Sequence, residues 1–253
     1  MLLVLAPPKD EVAARFERLV QSRGIAVERA TAETVSLNVG LDRSGSATVE
    51  LRASGAPVHA VLNRGLDIDP ATQFQDSEWL AAWWAALAYF PGPVVNRPSQ
   101  AGFLPELDVL SLVERVPSLN LAPMHIGSRA PPSLAGRVVN VHSARDGHFI
   151  GRDDASGDEE LLQYTEFDPE RTCRIILAGD KCLATGFTPP AASGAIKMLE
   201  NELRARGATF SCVVLQVNSS SVELLHATSV PSTPHYLEIE NDVHEALLEY
   251  LGP

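Results

Sequence analysis

The chain has 253 residues, 45% of them hydrophobic, which is enough to fill the core of one large or two modest domains. Lys and Arg total 20 against 32 Asp and Glu, and the net charge of -12 argues against nucleic-acid binding. The opening apolar run is too short for the core of a signal peptide, and no run approaches the length of a membrane span. Three cysteines are too few for a disulfide framework, so we expect a cytoplasmic protein that binds neither membranes nor nucleic acid.

The first hundred residues alternate between strand and helix patterns. Val12, Phe16 and Val20 repeat at helical spacing up to Gly24, which is suited to end a helix. Short apolar or alternating runs before and after this helix predict strands. The predicted strands are 1–5, 25–29, 35–39, 47–52 and 59–62. We therefore predict a small α/β domain.

A tryptophan-rich helix is predicted at 78–90. It carries Trp79, Trp83 and Trp84 and has no charged residue after Glu78, so it is apolar almost all round. Such a helix is buried either within its own subunit or against another one. A homodimer through the segment from Trp79 to Trp84 is one open interpretation, and burial in the core is the other.

Three prolines, Pro91, Pro93 and Pro98, indicate a domain boundary near residue 100. Beyond it the sequence predicts helices and antiparallel hairpins, ending in a helix capped by Asn241. We expect a second, two-lobed α+β domain at 101–253, with lobes at about 101–165 and 166–253. Its predicted helices are 107–115, 193–206 and the last one, and its strands are 119–126, 137–142, 161–167, 172–177, 181–187, 210–217 and 222–227.

One hairpin can be predicted to the level of residue pairs. Gly179-Asp180 suits a tight two-residue turn between the strands 172–177 and 181–187. That turn places Arg174 opposite Thr185, on the same face as Ile176. A cation on an otherwise apolar face must meet an anion or reach solvent.

Several motifs together resemble the ATP-grasp superfamily, in particular its glutathione-synthetase-like peptide ligases. They are Leu-Leu-Gln-Tyr-Thr-Glu-Phe at 161–167, the hairpin sequence at 171–187, and the helix and two strands that follow it. The first hundred residues resemble the domain that precedes the ATP-grasp domain in that branch, with Val-Leu-Asn-Arg at 61–64 and Val-Val-Asn-Arg-Pro at 94–98 as matching strand ends.

The resemblance implies where ATP and magnesium would bind in an active member. ATP would lie between two antiparallel sheets, with its adenine against a hinge formed by Gln163, Tyr164, Thr165 and Glu166. Arg174 matches an arginine that faces phosphate or a substrate carboxylate in that family. Lysines on the phosphates, and acidic residues plus an Asn on magnesium, complete the family's site.

This sequence departs from the family at those charged positions. Asn140 stands where a phosphate-binding lysine is expected, and no lysine occurs near Asp108 or anywhere else between Lys9 and Lys181. The phosphate-covering loop at 143–148 has one glycine, and five carboxylates follow it between residues 153 and 160. Both features oppose the binding of a triphosphate.

The expected magnesium ligands are also missing. The family's aspartate aligns with Val214, and its Glu-x-Asn motif aligns with His226-Ala227-Thr228. Magnesium prefers hard oxygen ligands and usually takes one or two carboxylates in phosphoryl-transfer sites. Glu223 is the one acidic residue between Phe210 and Pro234, so a shift of the alignment does not restore the site. We predict neither a catalytic residue nor a metal ligand here.

Three groups of residues have alternative assignments. His226, with His142 or His148, is a candidate zinc ligand, although a lone strand histidine is more typical of packing. Cys182 or Cys212 is a candidate nucleophile, but both lie in apolar strand patterns. The serine run at 219–221 lacks a glycine elbow and is typical of a turn.

Several arginines are candidate anion or substrate contacts. Arg145, like Arg152, is a candidate replacement for the missing lysines, against the alternative of a surface ion pair. Arg64 and Arg97 end two predicted parallel strands, where ligands of open α/β sheets tend to bind, and with Arg174 they form a candidate cationic site. The alternative is ion pairing with nearby carboxylates.

Two functions follow as hypotheses. The first, which the chemistry favours, is a degenerate ATP-grasp protein that binds a peptide or a partner protein without turnover. The second is an active ATP-dependent ligase with a divergent nucleotide site, which alone would require ATP and magnesium.

Overall fold

The computed structural model of the protein describes residues 1–30, 34–41, 43–44, 47–66, 74–128, 132–134, 139–143, 149–151, 162–219 and 221–252. The helices of this part are α1 Glu11–Ser22, α2 Phe74–Tyr89, α3 Val109–Arg115, α4 Ser193–Ala205 and α5 Glu240–Leu251. Its first eight strands are β1 Leu2–Leu5, β2 Val27–Arg29, β3 Val35–Leu41, β4 Ala47–Ala53, β5 Ala56–Pro57, β6 Ala60–Asn63, β7 Val94–Val95 and β8 Leu119–Leu121. The other strands are β9 Met124–Gly127, β10 Val139–Ser143, β11 Phe149–Gly151, β12 Leu162–Glu166, β13 Thr172–Ala178, β14 Lys181–Gly186, β15 Phe210–Val217 and β16 Val222–Thr228.

The first part of the chain forms a parallel sheet with the order β2-β1-β6-β7. The run Leu2–Leu5 is apolar at every position because both faces of β1 are covered. Leu2 and Val4 contribute to one core with α1, while Leu3 and Leu5 contribute to another with α2 and β4. These elements confirm the predicted α/β character of the first hundred residues.

The largest sheet is mainly antiparallel, with the order β14-β13-β15-β16-β8. Helices α3 and α4 cover one of its faces, and α5 packs against the other. The β13–β14 hairpin confirms the predicted register, with Arg174 opposite Thr185 and Ile176 opposite Leu183. Its turn contains Gly179 at a φ of +59°, a conformation that glycine adopts readily.

A separate antiparallel sheet has the order β11-β10-β12-β9. Its strands β10 and β12 contribute to a small hydrophobic core, which contains Leu134, Val139, Val141, Leu162 and Tyr164. Together with the five-stranded sheet it gives the two antiparallel sheets that the sequence predicts for the second half of the chain.

Helix α5 joins the two halves of the described structure. Its residues Val243 and Leu247 share one continuous buried cluster with Val4 and Phe16 of the first sheet and with Ile176 of the five-stranded sheet. Residues before and after the predicted boundary near residue 100 therefore contribute to one common core.

Three predicted elements differ from the observed ones. The strand predicted at 119–126 is two strands, β8 and β9, in different sheets, and Pro123 lies between them. Helix α5 begins at Glu240, so Asn241 lies in its first turn, and no side chain caps it. The tryptophan helix is buried on one side at Trp83, but its opposite side is exposed at Ala81, Ala85 and Tyr89. No helix in the described part of the chain is long and apolar enough to cross a membrane.

Candidate functional site

A row of four residues crosses the five-stranded sheet at the predicted site. Thr185 pairs with Arg174, Arg174 with Val214, and Val214 with His226. Directly opposite residues of neighbouring antiparallel strands project from the same face of a sheet. Val214 and His226, which the resemblance matches to magnesium ligands, therefore lie side by side, and Arg174 lies next to Val214.

Val214 and His226 are buried within this row. Each is 3% exposed, and Val214 belongs to the core that α5 covers. The ring of His235, from the 3-10 turn Thr233–His235, stacks on His226 with the ring centroids 6.0 Å apart. A magnesium ion needs oxygen ligands, and neither the Val214 side chain nor the His226 imidazole offers one. The residues present do not fit the ion that the fold family implies.

The other end of the row is more open. Thr185 Oγ1 lies 2.5 Å from Glu238 Oε2, and Glu238 is exposed. Arg174, between Thr185 and Val214, is partly buried and makes no ion pair or hydrogen bond with another described residue. A guanidinium that has no ion pair with a described residue is suited to bind a carboxylate or phosphate oxygen.

The predicted hinge residues lie in β12, a central strand. Gln163, Tyr164 and Thr165 pair with β10 on one side and with β9 on the other. The pairing with β9 ends at Thr165, and Glu166 pairs with Val139 of β10. The backbone of the first three residues is therefore engaged in the sheet, and the hinge assignment of all four stays a prediction.

The predicted phosphate-binding positions are partly described. Asp108, where the family has a nearby lysine, caps α3 by accepting a hydrogen bond from Ser111 N at 2.8 Å. Asn140 lies in β10, but its side chain is outside the described residues. Arg145 and Arg152, together with the loop at 144–148 and the carboxylates at 153–160, are also outside them.

Arg97 contacts main-chain carbonyls at the end of α2. Its Nη1 donates to Leu87 O at 2.8 Å and to Phe90 O at 2.7 Å, and its Nη2 donates to Gly92 O at 2.6 Å. Burial lowers the pKa of the Arg97 guanidinium from its ordinary value. These bonds occupy the guanidinium with carbonyls in the last turn of α2 and in the segment after it, and the contact of Arg97 with an anionic ligand stays a prediction.

Arg64 forms a buried ion pair. Its Nε lies 2.8 Å from Asp10 Oδ2, and its Nη2 donates to Pro231 O at 3.1 Å. Its guanidinium carbon lies 5.4 Å from the centre of the Phe210 ring. The structure thus places Arg64, Arg97 and Arg174 in three different environments, each with its own neighbours.

The zinc alternative stays a prediction, because the side chains of His142 and His148 lie outside the described residues, and the cysteine alternative gains no support. No group of three or more His, Cys, Asp or Glu side chains able to hold a metal ion occurs within the described ranges. Burial raises the pKa of the Cys212 thiol to about 12, and it also raises the pKa of Cys182. Both thiols are therefore protonated near neutral pH, which is unfavourable for a nucleophile.

Asn96, at the end of β7, links the two halves of the described structure, and Asn63, at the end of β6, bonds to Asn96. Asn96 Nδ2 donates to Phe210 O at 2.8 Å and to Ser229 O at 2.9 Å. Asn63 Nδ2 donates to Asn96 O at 2.9 Å. The repeated Asn-Arg at the ends of β6 and β7 was the signal available in the sequence, although it did not reveal these partners.

Comparison with known proteins gives structural matches alone. No family model and no curated protein matches the chain. The fold is similar to the macrocyclase MdnB from Microcystis aeruginosa MRC, with a TM-score of 0.62, 15% identity and coverage of 99% of this chain and 98% of that one. It is also similar to the ATP-grasp ligase PsnB complexed with the precursor peptide PsnA2 and AMPPNP, with a TM-score of 0.60, 12% identity and coverage of 100% and 98%.

A third similar structure is the RiPP-associated ATP-grasp ligase of Chryseobacterium gregarium in complex with ADP and a leader and core peptide. Its TM-score is 0.54 at 11% identity, and the match covers 99% of this chain and 96% of that one. All three similarities extend over nearly the whole of both chains, including the parallel sheet and both antiparallel sheets. The chain therefore has the fold of the ATP-grasp peptide ligases.

Proposed function

We propose that this protein is a non-catalytic member of the ATP-grasp ligases that binds a peptide, or a partner protein, in a cytoplasmic peptide-modification pathway. One observation carries the proposal: Val214 and His226, which the resemblance matches to the family's magnesium ligands, are each 3% exposed, and Val214 belongs to the core that α5 covers. Without a metal, the charge that develops on a transferred phosphoryl group has no counter-charge at this position.

Peptide binding is the function that the remaining features support. The similar ATP-grasp ligase structures include complexes with precursor, leader and core peptides. In this chain, Arg174 retains a guanidinium without an ion pair to another described residue, beside the exposed Glu238. A guanidinium on this sheet face is suited to a peptide carboxylate, because it needs no metal or lysine to bind one oxygen anion.

The nucleotide half of the proposal is tested by thermal unfolding with and without ATP and magnesium. A ligand that binds the folded state alone raises the melting temperature. We expect no shift at millimolar ATP, whether or not magnesium is present. A shift that depends on magnesium would contradict the proposal and favour an active ligase with a divergent site.

The peptide half is tested by selection from a displayed peptide library against the full-length protein. We expect enriched peptides to bind the wild-type protein about tenfold more tightly than Arg174→Gln, since a charge-assisted hydrogen bond contributes on the order of 1.5 kcal/mol. Arg171→Gln is the matched control, because Arg171 is an exposed arginine nearby that pairs with Asp168. Equal binding by all three proteins would exclude Arg174 from the peptide site.

A homodimer through α2 is the second part of the partner proposal. The helix carries no charge after Glu78, and its exposed side presents Ala81, Ala85 and Tyr89, the last of them 62% exposed. An uncharged surface of small residues and one aromatic ring is suited to close packing against a second copy of the same helix.

A further inference from the structure

A cavity of about 670 Å³ lies at the carboxyl ends of β1 and β6. Its wall is formed by the segment from Pro7 to Val12 after β1, by the segment from Arg64 to Leu66 after β6, and by residues between Val230 and Pro234 after β16. This volume is within the range of sites for small organic ligands.

The position of the cavity in the sheet is one where ligands commonly bind. In the order β2-β1-β6-β7, the chain leaves β1 toward β2 through α1, and it leaves the neighbouring β6 toward β7 through α2. The two connections therefore diverge and cover opposite faces of the sheet, with α1 in one core and α2 in the other. Ligands of open parallel sheets bind in the crevice that such a reversal creates.

Two side chains that line the cavity each carry a buried polar atom with no hydrogen-bond partner among the described residues. The atoms are Arg64 Nη1 and Thr233 Oγ1, on side chains that are 4% and 5% exposed. The other two Arg64 nitrogens bond to Asp10 and Pro231. A buried donor left without an acceptor destabilises the fold, so a ligand oxygen that pairs with these atoms would recover that energy.

The charges around the cavity limit the ligand to a single negative charge. Asp10 pairs with Arg64, and Glu11 pairs with Arg15. Lys9, at the exposed rim, forms no ion pair with a described residue, and the positive end of α1 points to the same region. One carboxylate balances Lys9, whereas a phosphate chain would meet both carboxylates in the wall.

The rest of the wall is apolar, and its side chains include Val12, Leu66, Leu104 and Val230. We infer that this cavity binds one carboxylate carried on an apolar body, the chemistry of an apolar residue at the carboxyl terminus of a peptide. The carboxylate oxygens pair with Arg64 Nη1 and Thr233 Oγ1, and the apolar part contacts the leucine and valine side chains. The site lies apart from Arg174, and it does not depend on the proposed function of the five-stranded sheet.

The inference is tested by titrating the full-length, ¹⁵N-labelled protein with N-acetyl-L-leucine and following the backbone amides by NMR. We expect saturable shifts at Gly65, Leu66 and Thr233, and at least about tenfold weaker binding of N-acetyl-L-leucinamide, which lacks the charge. Inorganic phosphate serves as the anion without an apolar body. Equal binding of the acid and the amide, equal binding of phosphate, or no shift at these amides would each overturn the inference.

A matched pair of variants tests the role of Thr233. Thr233→Val removes a hydroxyl that has no partner among the described residues, so the variant is expected to fold, and it should weaken binding of N-acetyl-L-leucine about fivefold. Thr48→Val, at an exposed position of β4, should leave binding unchanged.

Lys9→Met tests the charge at the rim of the cavity. This variant should bind N-acetyl-L-leucine more weakly, and its binding should depend less on salt. Unchanged binding in both Thr233→Val and Lys9→Met would overturn the assignment of these residues.

Discussion

Asn96 forms a two-point hydrogen bond with the backbone of Phe210. Its Oδ1 accepts from Phe210 N at 2.9 Å, and its Nδ2 donates to Phe210 O at 2.8 Å. Asn96 has a φ of +52°, a left-handed conformation that asparagine tolerates better than most residues. This side chain thus joins the end of β7 to β15 across 114 positions of sequence.

Asn96→Asp is expected to destabilise the fold by about 3 kcal/mol or more, because a carboxylate cannot donate to Phe210 O or Ser229 O and would be buried against both. Urea unfolding at neutral pH measures the free energy. Asn120→Asp, at an exposed position of β8, is the matched control and should change it by less than about 0.5 kcal/mol. Equal stability of the two variants would show that the Asn96 bonds contribute little.

The stability of the protein should fall as the pH drops from about 6.5 to about 4. Burial, followed by the nearby Arg64 and Arg15 charges, lowers the pKa of His244 from 6.5 to about 4. In that pH window the unfolded chain binds a proton that the folded chain does not, so protonation favours unfolding. The contribution of His244 to this loss is about 3 kcal/mol when the window has been crossed.

Unfolding free energies of wild type and His244→Phe, measured between pH 4 and pH 7, test this prediction. The His244 ring contacts the edges of Phe16 and Tyr236, so a phenyl ring preserves the packing. The variant should lose less stability than wild type across the window. Parallel pH profiles for the two proteins would assign the acid sensitivity to other groups.

The ion pair between Arg64 and Asp10 is expected to show strong coupling in a double-mutant cycle. Both side chains are buried, so Asp10→Asn alone leaves a buried charge and should cost about 3 to 5 kcal/mol, although an asparagine still caps α1. The double variant with Arg64→Met removes both charges and should be more stable than Asp10→Asn. Additive losses would indicate that the two groups act independently.

An acidic residue at position 214, which the resemblance matches to a magnesium ligand, is expected to destabilise the protein and to confer no nucleotide binding. Val214→Asp places a carboxylate in a packed core and should cost about 3 kcal/mol or more at neutral pH. Thermal unfolding with ATP and magnesium should show no added shift. Ser219→Asp, on an exposed turn, is the control. A magnesium-dependent shift of the melting temperature in Val214→Asp alone would contradict the claim that this packed position cannot bind magnesium.

Light scattering coupled to size-exclusion chromatography tests the proposed dimer. Wild type should elute as a dimer at about 100 μM, and Ala85→Glu should be monomeric, since it places a charge on the exposed side of α2. Ala101→Glu, also exposed but outside the helix, is the matched control and should remain dimeric. A monomeric wild type would exclude this interface at the concentration used.

Local signals in the sequence explain the parts of the fold that were predicted correctly. The Gly179-Asp180 turn fixes the register of its own hairpin, so the pairing of Arg174 with Thr185 follows from neighbouring residues. The error at 119–126 has an equally local cause, because Pro123 separates β8 from β9.

The candidate site depended on contacts that a single sequence does not display. The identity of Val214 indicates a missing ligand, but its burial depends on packing with α5, which is distant in sequence. The ion pair of Arg64 joins residues 54 positions apart. Because these contacts are non-local, they cannot be predicted from a periodic pattern or a short motif.

The position of α5 also affects the order of folding. Its side chains complete the core that contains Val4 and Phe16, and Arg15 of α1 pairs with Glu240 of α5 across 225 positions. During synthesis, the first strand and helix must therefore wait for almost the whole chain before their common core can close. Such distant contacts slow folding and prolong the exposure of apolar surface. We therefore expect a truncation that removes α5 to cause aggregation of the protein.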